Sequence, residues 1–336
     1  MTAKDLVDPI FILGILPRSG TNFLFNLLRL HPDCGVPEPI WEDYALEPSP
    51  LLLQYADAVY SWWDSADPPW EIDESFKHQL REHLGVGLIS FLSARIGNRR
   101  LLTKTPCVSN LDAFFKLFPN GYMLILVRDG RDVIESAARS FGWDRDTTAR
   151  RWAEAARTIL EFTGTASEHD LQYLVLRYED LYLNLDAELR KILSFVNLDM
   201  ASYDFDAAHE LPIYGSSKLG ATENWVHWNP VARTSQFSPI GRWKGWPRQM
   251  HERFNWIAGR YLREFGYEEK RYEGRELVWR AYNRIVDGVQ KYKPYERIPA
   301  PVWKSIRTVG YQLLGLDRVA SQHQDDERHP QRSPLA

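Results

Sequence analysis

Residues 10–22 read "IFILGILPRSGTN", a wholly apolar run that breaks into a short basic turn and then into helical spacing. A turn between a buried strand and a helix leaves several backbone N–H groups without partners at the positive end of the helix dipole. Gly20 lets backbone approach a ligand closely, and Arg18 adds a charge that side-chain titration does not remove. Such a turn is built for an oxyanion, either a phosphate or a sulfate.

The order of residues narrows the choice. The phosphate-binding loop of nucleoside triphosphatases reads G-x-x-x-x-G-K-[ST]. From Gly14 this chain reads G-I-L-P-R-S-G-T-N, with the basic residue before the Ser-Gly pair and no Lys after it. That Lys ordinarily reaches the β- and γ-phosphates while its neighbouring hydroxyl holds magnesium, so a triphosphate is poorly served.

The elements that must position the turn follow from hydrophobic pattern. Continuous apolar runs at residues 10–16 and 122–127, with "RLLTK" at 100–104 and "LQYLVLRYEDL" at 171–181, read as strands. Helical spacing follows in "TNFLFNLLRL", "NLDAFFKLF", "VIESAARS", residues 147–163, "LDAELRKILSFVNL" and "HERFNWIAGRYLREFGY". Alternating strands and helices predict βαβ units and an α/β fold with a mostly parallel central sheet.

"PRSGTNFLFNLLRLHP" resembles the 5'-phosphosulfate loop of sulfotransferases, whose donor is 3'-phosphoadenosine 5'-phosphosulfate (PAPS). A second signature of that family is a strand ending in Arg with a Ser eight residues later, and "YMLILVRDGRDVIES" supplies Arg128 and Ser136. "RYEDL" and "GRWKGW" resemble later landmarks of the family, most closely its tyrosylprotein and bacterial branch. The resemblance, over residues 8–267, implies a P-loop-NTPase-like three-layer sandwich that uses PAPS as cosubstrate, releases PAP and needs no metal.

It also implies roles. Arg18, Ser19, Gly20, Thr21 and Asn22 would hold the phosphosulfate, Arg128 and Ser136 the 3'-phosphate, with Arg242 and Lys244 as further phosphate partners. Arg18 can steady the leaving group but not protonate it. Lys104 in "TKTP" stands where the tyrosylprotein branch has "NKDP", and is the second catalytic cation expected. Cytosolic sulfotransferases place a catalytic His two residues after such a Lys, where this chain has Pro106. The base expected instead is Glu38, seven residues after His31, with Glu42 and Asp43 as competitors. A carboxylate serves as base when burial or neighbours raise its pKa.

Other residues carry blander readings. His31, before Pro32, reads as a helix-terminal residue whose cationic form suits the dipole. His227 is a candidate for lining the acceptor pocket, and Trp243 either stacks near the adenine or anchors its loop. The Trp-rich stretch from Trp41 to Trp70 is either core packing or an acceptor pocket that stacks on a ring. "KSIRTV" resembles part of a dimer motif of cytosolic sulfotransferases but has Leu313 where that motif has Glu, so oligomeric state stays open.

Composition removes several classes of partner. A net charge of −4, from 41 basic and 45 acidic residues well mixed, leaves no electrostatic footprint for nucleic acid or an anionic membrane. "MTAKDLVDP" lacks the pattern of a secretory signal, and no later segment offers about 18 uninterrupted apolar residues, so a cytoplasmic protein with no membrane span is expected. Two cysteines, Cys34 and Cys107, are too few for a disulfide framework and lack metal-ligand spacing. A sulfotransferase domain over 1–270, a helical appendage over 271–320 and a disordered tail over 321–336 are expected. The resemblance implies in-line transfer of a sulfuryl group, with a carboxylate base, to a hydroxyl or an amine of a small-molecule, carbohydrate or peptide acceptor. Two alternatives remain: a non-catalytic PAP- or PAPS-binding protein, and a P-loop kinase with a degenerate nucleotide site.

Overall fold

Strand β1 (Ile10–Gly14) is buried along its whole length, as its unbroken apolar sequence requires. It pairs in parallel with β3 (Arg100–Thr105) on one side and β4 (Tyr122–Val127) on the other. β2 (Cys34–Gly35) adds to β3 and β5 (Tyr173–Arg177) adds to β4, both in parallel, giving the order β2-β3-β1-β4-β5. The structure, a computed structural model, describes residues 8–67, 70–166, 171–213 and 238–291.

The two-residue period of a strand divides the core into two faces. Phe11 and Leu13 of β1 and Met123, Ile125 and Val127 of β4 point into one hydrophobic cluster. Ile10 and Ile12, with Tyr122, Leu124 and Leu126, point into the other. The first is covered by α3 (Glu74–Ser93), α4 (Leu111–Leu117), α5 (Gly130–Phe141), α6 (Arg145–Ala166) and α10 (Arg248–Glu264). The second is covered by α1 (Thr21–Leu28), α7 (Tyr178–Leu183), α8 (Leu185–Phe195) and α9 (Phe205–Glu210). This is the three-layer α/β sandwich that the sequence implied, with every strand parallel.

Three elements differ from the sequence reading. The Trp-rich stretch contains α2 (Ser49–Asp64), on which Leu51, Tyr55 and Trp62 are exposed, as are Trp41 and Trp70 beside it. α3 was not expected from the sequence, because its few buried residues, Gly85, Ile89 and Leu92, leave only a thin apolar stripe. "LQYLVLRYEDL" is strand only over Tyr173–Arg177 and turns straight into α7, whose first turn carries Glu179 and Asp180 at the end where the helix dipole favours acids.

By its internal contacts the chain divides into two units, Met1–Lys270 and Arg271–Ala336. The first carries the sheet and every candidate site residue described below. Within the second, the described part is residues 271–291, including α11 (Glu276–Lys291). The rest of the expected appendage and tail, "KSIRTV", and His227 with its loop lie outside the described residues. Among the described residues no helix is long and apolar enough to cross a membrane, and no cluster of His, Cys, Asp or Glu could hold a metal. Cys34 and Cys107 are both free thiols, and burial pushes the Cys34 thiol up to about 12.

Candidate functional site

The carboxyl end of β1 opens into a turn whose shape depends on two glycines. A Cβ at Gly14 would stand 2.4 Å from Ser19 Oγ. Gly20 has φ of 98°, caps α1 without a side chain, and a Cβ there would lie 2.3 Å from the Tyr178 ring. The turn therefore packs backbone directly against an aromatic face, and it carries Arg18 at φ 79°. Ser19 is fully buried, and its Oγ has no hydrogen-bond partner among the described residues.

Arg128 follows the last residue of β4, the strand next to β1, and is almost wholly buried. Its Nη1 donates to the Arg18 carbonyl at 2.6 Å and its Nη2 to the Pro239 carbonyl at 2.5 Å. Its guanidinium sits 4.8 Å from the centre of the Tyr178 ring. Its Nε is buried without a partner among the described residues. Ser136, on α5, receives Arg18 Nε at 3.1 Å and Arg242 Nη1 at 3.4 Å.

Arg18 and Arg242 thus meet at one hydroxyl, with Arg128 tied to the Arg18 carbonyl beside them. Burial, then repulsion from Arg128, pushes the Arg18 and Arg242 guanidinium pKa values down to about 10. Like charges at contact distance repel by about 1–4 kcal/mol between water-like and surface-like dielectrics. A multiply charged anion would turn that repulsion into attraction, and its oxygens would satisfy Ser19 Oγ and Arg128 Nε. The cluster has the chemistry to hold an oxyanion.

Three holding residues had no role assigned from sequence. Tyr178 forms the wall under Gly20 and Arg128. Glu179 accepts the Asp129 amide at 3.0 Å and the Tyr267 hydroxyl at 2.7 Å, fixing the turn after Arg128; burial pushes both its carboxyl and the Tyr267 phenol upward. Asp132 accepts the amides of Gly241 and Arg242 at 2.8 and 2.6 Å. "RYEDL" at the end of a strand was the available signal for the first two. Lys244, expected as a phosphate partner, is exposed, and among the described residues no contact joins it to the arginine cluster. Trp243 lies under the Arg131 guanidinium, 3.6 Å from ring centre, which anchors its loop.

A second constellation lies along β3. Lys104 is buried; its Nζ meets Glu42 Oε1 at 3.0 Å and lies 5.8 Å from the centre of the Phe25 ring. The Asp43 amide donates to the Lys104 carbonyl at 3.1 Å and the Tyr44 amide to Thr105 Oγ1 at 3.0 Å, so this segment is laid beside the strand. Alternation then separates the two acids. Glu42 is held by Lys104 and by the Tyr44 hydroxyl at 2.9 Å, while Asp43 accepts from Thr103 Oγ1 at 2.8 Å and the Ala45 amide at 2.7 Å. Burial pushes the Asp43 carboxyl upward.

Glu38, the expected base, is placed elsewhere. Its carboxylate is 58% exposed, pairs with Arg29 at 3.5 Å, and lines a cavity of about 640 Å³ with Arg29, Arg95, Arg99 and Cys34. His31, three residues past α1, is buried: Nδ1 accepts the Asp33 amide at 3.2 Å and Nε2–H donates to the Asp199 carbonyl at 3.0 Å. It is a packing residue.

Fold and site together define an α/β protein with a cluster of arginines at the carboxyl edge of a parallel sheet. Residues 9–202 match the family model described as "Sulfotransferase family", and the chain belongs to that family. Protein-tyrosine sulfotransferase A of Caenorhabditis elegans is 26% identical over 206 residues, 57% of this chain and 50% of that protein. Protein-tyrosine sulfotransferase 1 of Danio rerio is 28% identical over 211 residues, 58% of this chain and 54% of that one. The chain spans about half the length of these relatives. Among solved structures, the sulfotransferase domain from the curacin biosynthetic pathway aligns at 20% identity and TM-score 0.47, over 79% of this chain and 100% of that one. Mouse sulfotransferase SULT7A1 complexed with PAP aligns at 14% identity and TM-score 0.40, over 84% and 89%.

Proposed function

We propose that this chain binds PAPS and transfers its sulfuryl group to an acceptor hydroxyl. The observation that carries the reading is the convergence of Arg18 and Arg242 on the Ser136 hydroxyl, with buried Arg128 bound to the Arg18 carbonyl, at the glycine-shaped turn that ends β1. When bound, PAPS supplies an electrophilic sulfur with a phosphate leaving group. Around it, Arg18 and the first amides of α1 would hold the phosphosulfate, and Arg128, Ser136 and Arg242 the 3'-phosphate.

Lys104 and Glu42 are assigned the acceptor side. Glu42 takes the acceptor proton as the new S–O bond forms and the S–O bond to the phosphate breaks, while Lys104 and Arg18 offset negative charge on the sulfuryl and leaving oxygens. The names of the relatives support a tyrosyl hydroxyl as the first acceptor to try.

The test is transfer of labelled sulfate from PAPS to a tyrosine peptide and a panel of phenols, sugars and alcohols, alongside calorimetry with PAP and with ATP. Expected are micromolar PAP binding that ignores magnesium, and label on at least one hydroxyl. Magnesium-dependent ATP binding in place of PAP would instead make the chain a kinase, and PAP binding without transfer to any acceptor would leave a non-catalytic binder.

The same measurements probe the turn. In Gly20→Ala a left-handed backbone and a Cβ driven into Tyr178 act together, costing about 2–4 kcal/mol. We expect a lower melting temperature and PAP affinity down at least tenfold. Gly97→Ala is the control: φ is 64° but nothing lies within 4 Å of the added Cβ, so only about 1 kcal/mol of backbone cost remains and PAP affinity is unchanged.

A further inference from the structure

Arg242 reaches the arginine cluster from a segment more than a hundred residues along the chain from Ser136. That segment holds itself together poorly. It forms one short 3-10 turn, Arg242–Gly245, with none of its residues buried. Much of its hydrogen bonding comes from α5, while Arg128 holds the Pro239 carbonyl and the Trp243 and Trp246 rings pack on His251 and Phe254 of α10. Asp132 takes the Gly241 and Arg242 amides on its two carboxylate oxygens, at 2.8 and 2.6 Å. Arg131, itself clamped by both oxygens of Asp129, covers the Trp243 ring, and Glu135 takes the Trp246 indole N–H at 3.0 Å.

Asp132 and Ser136 are four residues apart on this helix, so they stand one above the other. The carboxylate therefore fixes the backbone of Arg242, and the hydroxyl one turn later receives its side chain. Burial and then repulsion from Arg128 oppose the Arg242 charge at this place, and the nearby Asp132 favours it. Asp132 is fully buried, which pushes its carboxyl upward, while Arg128 and the Gly241 and Arg242 amides favour its charged form.

Building on the proposed donor site, we infer that Asp132 is a positioning residue for donor recognition: it presets Arg242 so that the third cation is already in place when the anion arrives. Preset donors bind without the ordering cost of an untethered loop. Asp132 touches neither donor nor acceptor in this scheme, so its effect belongs to affinity and not to the chemical step.

The experiment compares wild type, Asp132→Asn, Arg242→Ala and the double variant for PAP affinity by calorimetry, and for KM and kcat with PAPS. Asp132→Asn keeps one oxygen acceptor but turns an NH2 toward the other backbone amide. We expect PAP affinity to fall 10- to 100-fold with kcat at saturating PAPS within threefold of wild type. The double variant should bind PAP no more weakly than Arg242→Ala alone, because both changes remove the same contact. Unchanged PAP affinity in Asp132→Asn, or losses that multiply in the double variant, would overturn the inference. If Asp132→Asn does not fold, Glu135→Gln releases the far end of the same segment, with three- to tenfold weaker PAP binding expected and no change counting against the clasp. Failure of wild type to bind PAP would remove the donor-site reading itself, a result distinguishable from all of these.

Discussion

Arg18→Gln should cut turnover at saturating donor by about 100- to 1000-fold, equivalent to about 2.7–4 kcal/mol of lost charge stabilisation, without weakening the fold. The two halves of this expectation have different causes. Arg18 is half-buried among cations, and desolvation followed by Arg128 and Arg242 lowers its pKa to about 10. Removing its charge relieves repulsion in the free protein, so the melting temperature should hold or rise. Glutamine tolerates the left-handed backbone at this position no worse than arginine does, so the φ of 79° adds nothing to the difference. It retains hydrogen-bonding capacity toward Ser136 but no charge for the leaving phosphate. A variant that melts like wild type yet turns over within threefold of it would remove Arg18 from the chemistry. The melting curve matters because loss of rate with loss of fold would say nothing about charge.

The parts of this arrangement that the sequence exposed are those encoded locally. β1 and β4 show as unbroken apolar runs because both of their faces are covered, and each runs into a turn that carries its own arginine. Ser136 was named only through resemblance to the family's Arg-to-Ser signature, whose eight-residue spacing is carried here by the helix that begins at Gly130. α2 was hidden for the opposite reason, since Leu51, Tyr55 and Trp62 face outward and only Ser49 and Ala56 are buried. In α3 the close contact is made by Gly85, where a Cβ would meet the Leu117 carbonyl oxygen at 1.8 Å, and a glycine adds nothing to an apolar periodicity. The holding residues were illegible on other grounds. Asp132 and Glu179 each grip a backbone set by tertiary packing, and a carboxylate that accepts an amide from 50 or 109 residues away leaves no mark on its neighbours in the chain.

The choice among acids likewise depends on tertiary placement, and it yields a prediction as large as the first. Glu42→Gln should lower turnover about 100- to 1000-fold with an ordinary hydroxyl acceptor while leaving PAP affinity unchanged, as expected for loss of a general base. With an acidified phenol, whose proton leaves readily without help, the loss should shrink to about tenfold. Lys104→Met should also be slow, but by the same factor for both acceptors, because Lys104 acts on charge at the sulfuryl oxygens and not on the acceptor proton. Glu38→Gln should remain within threefold of wild type, since its partner is Arg29 and its carboxylate is largely exposed. Asp43→Asn tests the remaining acid: its oxygens are taken by Thr103 and Ala45, so its loss should appear first as a lower melting temperature. A large, acceptor-sensitive loss at Glu38 in place of Glu42 would move the base to the arginine-lined cavity at the β2 edge. The acceptor would then have to reach the donor from that side, so these two substitutions also locate the path by which it enters.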